Sequence, residues 1–97
     1  MRILVVEDDP DLNRQIVDAL VDAGYVVDSA PDGEEGHFLG DTEPYDAVIL
    51  DLGLPKIDGL SVLENWRRDG RDMPVLILTA RDRWSDKVAG KIGRAHV

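Results

Sequence analysis

The sequence predicts an α/β fold built on a parallel sheet, and three observations carry that reading. Short apolar runs alternate with longer amphipathic stretches, the form taken by repeated βα units. The runs are apolar on both faces, as strands covered by helices on each side must be. Acidic and hydroxyl residues stand immediately after them, where the open sheets of such proteins bind ligands.

Arg2 to Val6 reads as the first strand. Asp9 and Pro10 follow as N-cap and first helical residue, and Leu12, Ile16, Ala19, Leu20 and Ala23 recur at helical spacing until Gly24 stops the helix. Tyr25 to Ala30 is the second strand. Asp32 to Gly40 is a weaker helix, because Gly36 lies inside it and His37 interrupts its apolar face. Asp46 to Leu50 is the third strand, followed by a loop from Asp51 to Gly59 with Pro55 and the Asp58-Gly59 pair as turn formers. Leu60, Leu63 and Trp66 mark the next helix, closed by Gly70. Pro74 to Thr79 is the fourth strand, and Trp84 to Gly90 begins a fourth helix. There is no internal repeat, low-complexity tract or linker.

The composition limits what such a chain does. Its 97 residues make one small domain, and 43% hydrophobic with 32% charged residues excludes a disordered chain. The longest apolar runs, Ile3 to Val6 and Val75 to Leu78, are too short to cross a bilayer, and no signal peptide follows Met1, so a cytoplasmic protein without membrane contact is expected. The absence of cysteine excludes disulfides, thiolate metal sites and cysteine nucleophiles. A net charge of -9 repels phosphate backbones, so the chain itself is not expected to bind DNA.

The polar residues at the strand ends suit one task. Glu7, Asp8 and Asp9 follow the first strand, Asp51 the third and Thr79 the fourth. With the first and third strands adjacent, the carboxylates meet in one pocket, where they repel unless a cation intervenes. Magnesium fits, being a hard ion held by one or two carboxylates together with phosphate oxygens and water. Such a pocket supports phosphoryl transfer, because an aspartate can attack phosphorus while a metal and a hydroxyl stabilise the charge on the phosphoryl oxygens.

The blocks Ile3-Leu4-Val5-Val6-Glu7-Asp8-Asp9, Asp46-Ala47-Val48-Ile49-Leu50-Asp51-Leu52-Gly53-Leu54-Pro55 with Asp58-Gly59, and Pro74-Val75-Leu76-Ile77-Leu78-Thr79-Ala80-Arg81 together resemble the receiver domain of two-component response regulators. The Thr79 to Asp82 stretch resembles the subfamily whose receivers precede a winged-helix DNA-binding domain. The resemblance implies a flavodoxin-like doubly wound parallel sheet of order 2-1-3-4, here without the usual fifth strand and helix. It implies Asp51 as phospho-acceptor, Asp8 and Asp51 as magnesium ligands, Glu7 as a ligand through water and Gly53 as a ligand through its backbone carbonyl. Thr79 turns its hydroxyl toward the phosphoryl group, and Ala80 keeps the approach to Asp51 uncrowded. The implied cofactor is Mg2+ and the implied partner a sensor histidine kinase, with DNA reached only through an output domain. The implied protein is a signalling module and not an enzyme.

Other readings attach to particular residues. Asp9 is assigned to the helix cap and not to the metal, because Pro10 fixes it at the helix entrance. Trp66 and Trp84 are packing residues, His37 a surface histidine with no second histidine or cysteine nearby, and Lys56 and Arg81 solvated charges flanking the pocket. An aspartate-nucleophile phosphohydrolase would need a second Asp two residues after Asp51, where Gly53 stands. A receiver-like interaction module that never takes phosphate is the third alternative. Residues 1–90 are read as a truncated receiver and 91–97 as a foreign tail, Ile92 to Val97 having the look of translated sequencing-adapter DNA. The family's lysine at the end of the fifth strand is absent, and Val75 to Leu78 is expected to be an apolar edge open to self-association.

Overall fold

A computed structural model describes residues 1–78 of the chain. Four strands, β1 (Arg2–Val6), β2 (Val26–Ala30), β3 (Ala47–Asp51) and β4 (Val75–Leu78), alternate with α1 (Pro10–Asp22), α2 (Gly33–Thr42) and α3 (Gly59–Arg68). All strand pairs are parallel and the order is β2-β1-β3-β4, as the sequence predicts. The register sets Val6 beside Leu50 and Asp51 beside Leu78, so the chain leaves β1 and β3 side by side at one pole.

Three aspartates start the three helices. Asp9 accepts hydrogen bonds from Asp11 N and Leu12 N, Asp32 from Glu35 N at 2.8 Å, and Asp58 from Ser61 N at 2.9 Å. Each satisfies amide groups that have no partner inside the helix.

Alternate residues of the central strands build the main core. Leu4, Val6, Val48, Leu50, Val75 and Ile77 pack with Val62, Leu63 and Trp66 of α3, and Leu39 of α2 leans on the same cluster. Trp66 is wholly buried, as its spacing in the sequence implies. Ile3 and Val5, pointing to the opposite face, are buried as well. α1 contributes no buried residue: Leu12, Ile16 and Leu20 are half-buried, while Ala19 and Ala23, expected on its apolar face, are exposed.

α2 departs most from its expected form. It continues past Gly40 to Thr42, whose hydroxyl donates to the Phe38 carbonyl at 2.9 Å. Gly36, which weakens the helix as a sequence, is buried against β1, where an added Cβ would come within 2.7 Å of Val6 Cγ1. The residue that costs helix propensity lets the helix lie close to the sheet.

Among the described residues no helix is long and apolar enough to cross a membrane. Thr79, the helix begun at Trp84 and the tail from Lys91 lie outside the described residues.

Candidate functional site

The carboxylates of Glu7, Asp8 and Asp51 converge at the C-terminal pole of the sheet, one oxygen from each lying within 4.8 Å of the others. Glu7 follows β1 directly, and its backbone N–H donates to the Ala30 carbonyl at 3.1 Å, extending the β1–β2 ladder by one residue. Asp51 ends β3, a strand paired on both sides. Position in the sheet therefore explains burial: Glu7 is 1% exposed and Asp51 0%. Asp8, one residue farther out, is half-buried and borders a cleft of about 450 Å³ shared with Asn13, Arg14 and Ser29.

Backbone amides orient these side chains. Asp9 N donates to Glu7 Oε2 at 2.8 Å and Gly53 N to Asp51 Oδ1 at 3.2 Å, while Asn13 Nδ2 donates to the Glu7 carbonyl at 2.9 Å. The roles of the Asp9 amide and of Asn13 are not read from the sequence. An asparagine one turn inside a helix that begins at the pocket is the signal that could have found the second.

Lys56 is held by α2 and not by the pocket. Its ammonium lies 3.5 Å from Asp32 and 3.6 Å from Glu34, whose charges raise its pKa above the ordinary lysine value. The Asp32 carboxyl is lowered, first by the hydrogen bond from Glu35 N and then by Lys56. Lys56 is also the only non-glycine among the described residues with positive φ, at 71°. Thr79 and Arg81 lie outside the described residues.

The donor set fits magnesium. Three hard carboxylates, two of them buried, are the oxygen donors that this ion prefers, and a cation bound among them would offset their mutual repulsion. Octahedral coordination at 2.0–2.1 Å puts neighbouring oxygens about 2.9 Å apart and opposite ones about 4.2 Å apart. Oxygens that all lie within 4.8 Å of one another are close enough to surround one such ion, directly or through water.

A buried aspartate with two further carboxylates thus stands at the strand ends of a 2-1-3-4 parallel sheet, where folds of this class bind ligands. The chain belongs to the response regulator receiver domain family, whose sequence model matches residues 3–96. It is 49% identical over 90 residues to the transcriptional regulatory protein QseB of Haemophilus influenzae, covering 93% of this chain and 41% of that protein. The response regulator TrrA of Thermotoga maritima, solved in complex with Mg(2+)-BeF, superposes with a TM-score of 0.78 at 36% identity, covering 90% of this chain and 76% of that one. A structure of TrrA with the histidine kinase ThkA matches at a TM-score of 0.75 and 39% identity, covering 81% of this chain and 68% of the matched chain. The chain thus spans about two fifths of the length of its curated relative.

Proposed function

We propose that this receiver takes a phosphoryl group from a sensor histidine kinase onto Asp51 and so controls an attached output, transcription by analogy with QseB. The observation that carries the reading is the meeting of Glu7, Asp8 and Asp51 within 4.8 Å around a fully buried strand-end aspartate. In the transfer, an Asp51 carboxylate oxygen forms a bond to phosphorus as the bond from phosphorus to the donor breaks, and the donor keeps the bonding electron pair.

Asp8 and Asp51 would hold Mg2+ directly, with Glu7 contacting it through water and Gly53 through its backbone carbonyl. Bound there, the ion neutralises charge on the phosphoryl oxygens. The remaining groups orient. The Gly53 amide fixes one Asp51 oxygen, and the Asp9 amide fixes the Glu7 carboxylate toward the metal position. Thr79 is assigned the hydroxyl that meets the phosphoryl group. TrrA with Mg(2+)-BeF supports the cofactor, and TrrA with ThkA supports the kinase partner. DNA is reached only through an output domain, since a net charge of -9 offers no surface for phosphate backbones.

Intact mass after incubation with acetyl phosphate and Mg2+ tests the assignment. One phosphoryl group is expected on the chain and none on Asp51→Asn. Unchanged addition in that variant, or none in the parent chain, overturns it. Release of phosphate in many turnovers without a stable adduct would favour a phosphohydrolase.

A further inference from the structure

Helices in parallel βα units run back against their strands, so the C-terminal ends of α2 and α3 lie at the pole opposite the carboxylate pocket, roughly 16 Å away along a five-residue strand. There His37 and Asp41, one turn apart on α2, meet Asp69, the C-cap of α3, with one donor atom from each within 4.8 Å of the others. Nε2 of His37 is buried and makes no hydrogen bond, and Asp41 Oδ2 is its carboxylate neighbour at 3.9 Å. We propose that His37, Asp41 and Asp69 form a second metal site, for a divalent first-row transition ion of the zinc type. The reading is independent of the phosphoryl pocket.

The donor chemistry selects the ion. An imidazole nitrogen favours zinc and its neighbours over magnesium, and two carboxylates complete a neutralising set with a fourth position left for water. Tetrahedral coordination at 2.0–2.1 Å places donor atoms about 3.4 Å apart, so the 3.9 Å His37–Asp41 pair needs to close by only about 0.5 Å. The Asp69 carboxylate, within 4.8 Å of both, is exposed and approaches by side-chain rotation. No side-chain hydrogen bond or ion pair holds Asp69 among the described residues.

The surroundings favour a cation and fix the donors. Both helices present their negative ends here, and α2 carries no basic residue in its last turn. The nearby arginines are committed to other oxygens: Arg67 to the Arg71 carbonyl, Arg68 to Asn65, and Arg71 to the carbonyls of Gly40 and Glu43. Trp66 Nε1 donates to the His37 carbonyl at 3.2 Å, and Gly40 lets the indole ring lie directly against α2. The relative position of the two helix ends is therefore set before a metal arrives, which lowers the ordering cost of binding.

Zinc titration of the full chain by calorimetry, in excess Mg2+ to occupy the carboxylate pocket, decides between this site and a simple His37–Asp41 ion pair. One Zn2+ per chain is expected, weakened by roughly tenfold or more in His37→Gln and in Asp69→Asn, and unchanged in His96→Ala. Asp69 is exposed, so its substitution leaves the fold intact and reads the ligand alone. In the parent chain the His37 imidazole nitrogen resonances should shift on zinc addition. Absence of saturable binding, binding indifferent to His37→Gln and Asp69→Asn, or binding lost only in Asp8→Ala and Asp51→Asn would overturn the proposal.

Discussion

Gly33 donates its backbone N–H to the Pro55 carbonyl at 3.3 Å, and a Cβ on Gly33 would overlap the carbonyl oxygen of Ile57. The first residue of α2 is thus seated against the loop that follows Asp51. Gly33→Ala must push this loop away or unwind the start of α2, and it is expected to cost about 2–4 kcal/mol in urea unfolding. Because the same loop carries Gly53, the variant should also bind Mg2+ more weakly than the parent chain. Parental stability and affinity together would show that the contact is slack.

Gly40 makes an equivalent contact with Trp66, whose indole occupies the space a Cβ would take. In an exposed helix Gly→Ala gains up to about 1 kcal/mol, but here overlap with a wholly buried ring reverses the sign, for an expected net loss of about 2 kcal/mol. A double-mutant cycle isolates the cause. In a Trp66→Phe background, with room restored, the cost of Gly40→Ala should fall by at least about 1 kcal/mol.

The glycines of α2 also mark where the sequence stops being legible. The alternation of strands and helices, the buried role of Trp66 and the place of Glu7, Asp8 and Asp51 at strand ends follow from periodicity and position, while the strand order that brings these carboxylates together is what the family resemblance implies. Helix α2 reads as weak because Gly36 lies inside it and His37 interrupts its apolar face, whereas in the fold Gly36 lets it approach Val6 and Gly40 lets it approach Trp66. Propensity is local, and close approach depends on residues distant in sequence. His37 shows the same limit. A search for a second histidine or cysteine passes over Asp69, which only the packing of α3 on α2 brings within reach.

Lys56 combines an unfavourable backbone with a favourable side chain. Its φ of 71° is strained for a residue with a Cβ, while its ammonium lies near Asp32 and Glu34. Lys56→Ala keeps the strain and loses the charge contacts, and Lys56→Gly loses the contacts but relieves the strain. The glycine variant is therefore expected to show the higher urea midpoint of the two. The reverse order would mean that this loop relaxes once the lysine is gone.

Tyr45 links stability to alkaline pH. Its ring is 9% exposed, its hydroxyl donates to Asp28 Oδ2 at 2.7 Å, and the Arg2 guanidinium lies 5.0 Å from the ring centroid and 3.0 Å from the same carboxylate oxygen. Burial first, then the hydrogen bond and charge of Asp28, raise the phenol well above its ordinary pKa of 10.0. A raised folded-state pKa gives stability that is complete below the unfolded value and is lost as pH climbs through 10 toward the folded value. Tyr45→Phe should cost about 1 kcal/mol at neutral pH, and the difference between the two proteins should shrink above pH 10. A constant difference from pH 7 to 11 would detach the phenol from the stability of the fold.

The carboxylates at the phosphoryl pocket should not contribute equally to magnesium binding. Asp8 borders the open cleft, while Glu7 and Asp51 are both buried and each accepts from a backbone amide, so the direct roles of Asp8 and Asp51 and the water-mediated role of Glu7 rest on the receiver-family resemblance. A ligand acting through water loses less when removed, because solvent can fill the vacated place. Asp8→Ala and Asp51→Asn are therefore expected to weaken Mg2+ affinity by roughly tenfold or more, and Glu7→Gln by less. Glutamine keeps an oxygen to accept from Asp9 N, which separates loss of charge from loss of the hydrogen bond. Titration followed by amide chemical shifts gives the order, and a Glu7→Gln loss equal to that of Asp8→Ala would make Glu7 a direct ligand.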